Sequence, residues 1–111
     1  MLTGIYFIDF KSARQNGVGG LIVVDNGRVH GGDPYNLYRG HVEQTGDTLK
    51  ARIRVTHYRG PTNTVFGPLK DFELELTGRA NGPRFSLAGN IVGKPQFKIE
   101  ITGDRKAELV D

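Results

Sequence analysis

The sequence has no cysteine, no tryptophan and a single methionine. Without thiols the fold has no disulfide staple, no thiolate-held metal or iron–sulfur cluster, and no cysteine nucleophile. It also has no apolar run near the ~18 residues that a helical membrane span needs. The opening Met1-Leu-Thr-Gly-Ile-Tyr-Phe-Ile-Asp-Phe10 has no basic leader and is interrupted by Asp9, so a soluble cytoplasmic protein is the expectation. Charge of one sign is scarce. Fifteen basic side chains against 12 acidic leave a net +3, which permits an acidic partner without requiring one. Serine occurs only at Ser12 and Ser86, and no nucleophile, base and acid stand at a catalytic spacing. The chain therefore reads as a non-enzyme without a cofactor.

What is present is glycine. Sixteen of the 111 residues are glycine, about twice the usual share. With 37% hydrophobic residues and little net charge, this composition belongs to a folded chain, and residues 1–111 make a single domain.

Helical periodicity is missing, whereas two-residue alternation runs from end to end. Leu49, Ala51, Ile53 and Val55 alternate with Lys50, Arg52, Arg54 and Thr56, which reads as a half-buried strand. Phe72, Leu74 and Leu76 repeat the pattern, as do Phe85, Leu87, Gly89 and Ile91, and then Phe97, Ile99 and Ile101. The runs Ile5 to Phe10 and Leu21 to Val24 are more continuously apolar, as strands covered on both faces are, for example by a partner chain.

Turn signals separate these runs. Asp25-Asn26-Gly27 is a type I′ hairpin cue; Thr45-Gly46-Asp47, Ala80-Asn81-Gly82-Pro83 and Val92-Gly93-Lys94-Pro95 read alike. The longest irregular connection is expected over residues 60–68. Asp33-Pro34 suits a helix N-cap and first helical position, which predicts one short helical turn near residues 33–37.

About eight short strands at hairpin spacing leave two open edges unless they close on themselves. The fold class is thus all-β, an antiparallel up-and-down barrel of lipocalin-like type. Glycines inside the strand-like runs (Gly4, Gly19, Gly20, Gly31, Gly32, Gly40 and Gly89) then mark points of sharp bending.

His30, His41 and His57 share no metal-ligand spacing, so no metal site is expected. Gly31-Gly32-Asp33 is read as a structural motif, a bend followed by a cap, because the phosphate-loop spacing is missing. Lys50, Arg52 and Arg54 form a basic stripe on an outer strand face. Glu73 and Glu75 on the next strand would oppose it across an antiparallel ladder, and no exposed aromatics interleave with it, so nucleic acid is set aside as a partner. An apolar interior lined by Tyr6, Phe7, Val23, Tyr38, Ile53, Leu74, Phe85 and Phe97 is either a solid core or a cavity for a small apolar, lipid-like ligand.

The N-terminal half carries a more specific pattern. Gly4-Ile5-Tyr6 is followed by Gly17-Val18-Gly19-Gly20-Leu21-Ile22-Val23, then by Asn26-Gly27-Arg28-Val29-His30-Gly31-Gly32-Asp33, and then by Tyr38-Arg39-Gly40. In order and spacing, over roughly residues 4 to 58, this resembles the GrlR-type negative regulators of bacterial type III secretion. The resemblance implies a lipocalin-like barrel that forms a homodimer. It also implies a non-enzymatic role, the sequestering of a helix-turn-helix transcriptional activator. An acidic cluster after the tyrosine–x–glycine strand makes that contact in the family. The corresponding stretch here is Glu43-Gln44-Thr45-Gly46-Asp47, in which Glu43 and Asp47 are the partner-binding candidates.

Overall fold

Alternating side chains give each strand one apolar face, and the chain buries all of these faces by closing the sheet. The computed structural model describes residues 2–12, 16–17, 19–61 and 69–111. The strands are β1 (Gly4–Ser12), β2 (Asn16–Gly17), β3 (Leu21–Asp25), β4 (Arg28–Gly32), β5 (Asn36–Thr45), β6 (Thr48–His57), β7 (Asp71–Asn81), β8 (Arg84–Ile91) and β9 (Lys94–Ala107). Each long strand pairs antiparallel with the next, and β9 returns to pair with β1 from Ile5↔Ala107 to Ser12↔Ile99. The two-residue β2 lies along the same edge of β1 as β3, so the wall is a closed up-and-down barrel of eight strands. Closure gives every long strand two neighbours and removes the free edges.

The hairpins follow the turn chemistry. Asn26 and Gly27 take φ of 53° and 79°, as a type I′ turn requires, and join β3 to β4. Further hairpin tips fall at residues 46–47, 82–83 and 92–93. Of the irregular connection expected over residues 60–68, residues 62–68 lie outside the described part.

The helical turn expected at residues 33–37 is not formed. Residues 34 and 35 make a bend, and β5 begins at Asn36. The capping chemistry is nonetheless present. Asp33 Oδ1 accepts the main-chain N–H groups of Tyr35 at 2.8 Å and Asn36 at 2.7 Å. Asp33 N–H donates to the Asn36 carbonyl at 3.0 Å, which closes a tight turn, and the partner strands β4 and β6 then draw the chain into the sheet.

Gly40 shows why the strands contain glycine. It faces inward from β5, and a Cβ there would lie 1.9 Å from the main-chain oxygen of Arg52 on β6. The strand coils so strongly at this point that no side chain fits.

Candidate functional site

The interior comes first, because a ligand-carrying barrel would use it. Tyr6, Tyr38, Leu74 and Phe85 are buried in the core, with the Tyr6 and Phe85 rings packed at a centroid distance of 5.3 Å. Ile53 and Phe97 are half-buried and pack against it. Tyr38, Ile53, Leu74 and Phe85, together with Leu2, Ile8 and Phe10, border an apolar cavity of about 40 Å³. Small-molecule pockets usually measure roughly 300–1,000 Å³. The interior is thus a side-chain core with a residual void, too small for an acyl chain. Leu2 seals one end, its side chain buried and its N–H bound to Gln44 Oε1 at 2.8 Å.

Phe7 and Val23 do not belong to this interior. On β1 the inward residues are Tyr6 and Ile8, and on β3 they are Ile22 and Val24, so Phe7 and Val23 point outward. Continuous apolar runs carry no alternation from which to assign a face, and only the pairing within the closed sheet turns these two outward.

Outward, the same residues build the most distinctive surface of the barrel. Phe7 is the cross-strand partner of Leu21, and Ile5 of Val23. Leu21 is next to Gly32, and Gly32 next to Leu37. Leu21 is 52% exposed and Leu37 41%. The result is an apolar stripe across β1, β3, β4 and β5, interrupted at Gly32, where a Cβ would lie 2.7 Å from the Asn36 carbonyl oxygen, too close for a side chain. Exposed Tyr35 and Tyr58 continue it toward the end of the barrel, joined by the Tyr58 N–H to Tyr35 carbonyl bond at 2.9 Å. Contiguous exposed apolar surface is a feature of interaction sites.

Asp33 organises the barrel mouth beside this stripe. Its Oδ2 accepts the Tyr38 hydroxyl, and its carbonyl accepts the Tyr58 hydroxyl at 3.0 Å. Burial pushes the Tyr38 phenol far above its ordinary value, with the hydrogen bond to Asp33 and the charge of that carboxylate adding to the effect. Tyr38 therefore stays protonated and donates. Gly31 is packed so closely that its Cβ would lie 2.1 Å from the Leu21 carbonyl oxygen. Gly31-Gly32-Asp33 thus acts as a structural corner.

Next to the corner are two loose ends. Asn36 is 3% exposed and its Oδ1 has no hydrogen-bond partner among the described residues; the buried Nδ1 of His57 has none either. The two residues are cross-strand partners on β5 and β6. A buried polar atom left unpaired costs about 1–3 kcal/mol.

The other candidates are dispersed. Glu43 sits on the outer wall opposite Lys50, whereas Asp47 is at the tip of the β5–β6 hairpin, where its carbonyl accepts the Ala80 N–H at 2.8 Å. They do not combine into an acidic cluster. The basic stripe is matched by acids, as the ladder argument requires: Arg52 reaches Glu73 at 2.9 Å and Glu75 at 3.4 Å, and Arg54 reaches Asp71 at 2.8 Å. His30 and His41 are exposed on the outer wall, away from His57. Among the described residues, no three acidic, histidine or cysteine side chains gather as a metal site.

The geometry defines a closed eight-stranded antiparallel barrel with a filled core and an apolar outer stripe. No family model matches the chain, and no curated protein matches it.

Proposed function

We propose that this chain is a non-catalytic protein-binding barrel, a role in keeping with the GrlR-type regulators of type III secretion that its N-terminal half resembles. The observation that carries the reading is the stripe of Ile5, Phe7, Leu21, Val23 and Leu37 on the outer wall. Its first occupant is a second copy of the chain. A two-fold axis parallel to the strands, lying between β3 and β4, sets Leu21 of each copy over Gly32 of the other and Phe7 against the other copy's Leu37. Such an isologous contact uses one patch twice, and the register sets which residues meet. A homodimer built this way leaves the opposite wall and both barrel ends free for a heterologous partner such as a transcriptional activator.

Sedimentation equilibrium of the wild-type chain against L21R and L37R tests the reading. A concentration-dependent dimer that both arginines convert to a folded monomer supports it. A wild-type monomer throughout the micromolar range, or dimers indifferent to both substitutions, refutes it.

A further inference from the structure

At the mouth of the barrel two polar side chains point into an otherwise apolar wall. Asn36 is the first inward residue of β5 and His57 the last inward residue of β6, directly paired across the ladder. The orientation of the Asn36 amide follows from chemistry. Its Nδ2 faces Asp33 Oδ1 at 3.4 Å, and since a carboxylate oxygen only accepts here, the nitrogen must be on that side and Oδ1 must face away. Oδ1 is thus a buried acceptor without a donor, and the buried Nδ1 of His57 beside it is likewise unpaired. With the imidazole proton on Nε2, Nδ1 is an acceptor as well.

Charge points the same way. The Asp33 carboxylate accepts from two main-chain N–H groups and the Tyr38 hydroxyl, yet forms no ion pair among the described residues. Arg54 is paired with Asp71, and Arg59 and Lys70 are exposed. With that tautomer the mouth offers two adjacent acceptors and a negative charge that has no ion-pair partner among the described residues. Two acceptors on neighbouring strands are bridged by one atom that donates more than one proton, and the negative charge selects a cationic donor over a neutral one.

We propose that the Asn36–His57 mouth is a binding site for a primary ammonium group. The site faces the interior of the barrel rather than the outer stripe, and the proposal does not rest on dimerisation. The same chemistry is carried by a small free amine and by a lysine side chain, and both enter the test.

Methylammonium chloride is titrated into isotopically labelled protein while the His57 ring nitrogens and the Asn36 side-chain amide are followed by NMR. Tetramethylammonium, which has the charge but no N–H, and sodium chloride are the controls. A second arm uses an acetylated, amidated tripeptide with a central lysine. The expected result is saturable shifts at both residues with methylammonium, with the peptide, or with both, and none with tetramethylammonium. N36A should bind roughly tenfold or more weakly, as loss of one hydrogen bond to a charged donor implies. H57F, which keeps the ring and removes Nδ1, serves the same purpose should N36A not fold. Shifts no larger than those from sodium chloride, equal response to tetramethylammonium, or undiminished binding in the folded variants would overturn the proposal and leave the two atoms to an ordered water.

Discussion

Replacing Gly40 with alanine tests the reasoning that links glycine to closure of this barrel. At an ordinary strand position, glycine to alanine stabilises by about 0.4–1 kcal/mol, because the unfolded chain loses freedom. At Gly40 the new Cβ would stand 1.9 Å from the Arg52 carbonyl oxygen and 2.9 Å from the Ile53 Cα. A normal carbon–oxygen contact is about 3.3 Å, so β5 and β6 must part locally by more than an ångström. Losing roughly two ladder hydrogen bonds at ~1 kcal/mol each, with about 1–3 kcal/mol of packing strain, outweighs the entropic gain. The net destabilisation is about 3 kcal/mol, or roughly 10–15 °C in Tm for a domain of this size. Gly46 is the control: its φ is +60° at a hairpin tip with no atom near the built Cβ, so G46A meets only left-handed backbone strain, about 1 kcal/mol. Urea unfolding followed by far-UV circular dichroism, at one protein concentration for all variants, measures both. A G40A protein as stable as wild type, or no less stable than G46A, would refute the close-approach account.

Two further outcomes rest on the core and the mouth. The Tyr38 phenol is raised in the folded state, so its contribution is complete below the unfolded tyrosine value near 10 and is lost as pH rises above it, at up to about 1.4 kcal/mol per pH unit. The stability advantage of wild type over Y38F should shrink between about pH 10 and 11 in denaturant titrations, and a constant advantage would contradict the burial of that hydroxyl. L2A removes a buried side chain from the closed end of the barrel and should cost about 2–4 kcal/mol in the same assay; a loss near zero would mean that Leu2 is not seated there.

Much of the barrel wall was legible because its logic is local. On β6 and β7 every second residue is apolar, so inside and outside follow from parity, and the opposed charges of Arg52 and Glu75 follow from antiparallel pairing. Asn26-Gly27 names its own turn. Asp33 was legible as a cap but not as the start of a strand, since a capping side chain serves a tight turn as well as a helix, and the neighbouring strands decide which.

Alternation and turn chemistry by themselves determine that this chain forms antiparallel strands in hairpin order, because both act between residues close in sequence. Only the tertiary structure decides that β9 returns to β1 and that Leu2 fills one end of the core. It alone sends Phe7 and Val23 outward into a stripe with Leu21 and Leu37, and pairs Asn36 with His57 at the mouth. The physical reason is the closure itself. Joining the first strand to the last sets the register of the sheet as a whole, and register determines which face each unpatterned residue takes and which distant side chains become neighbours.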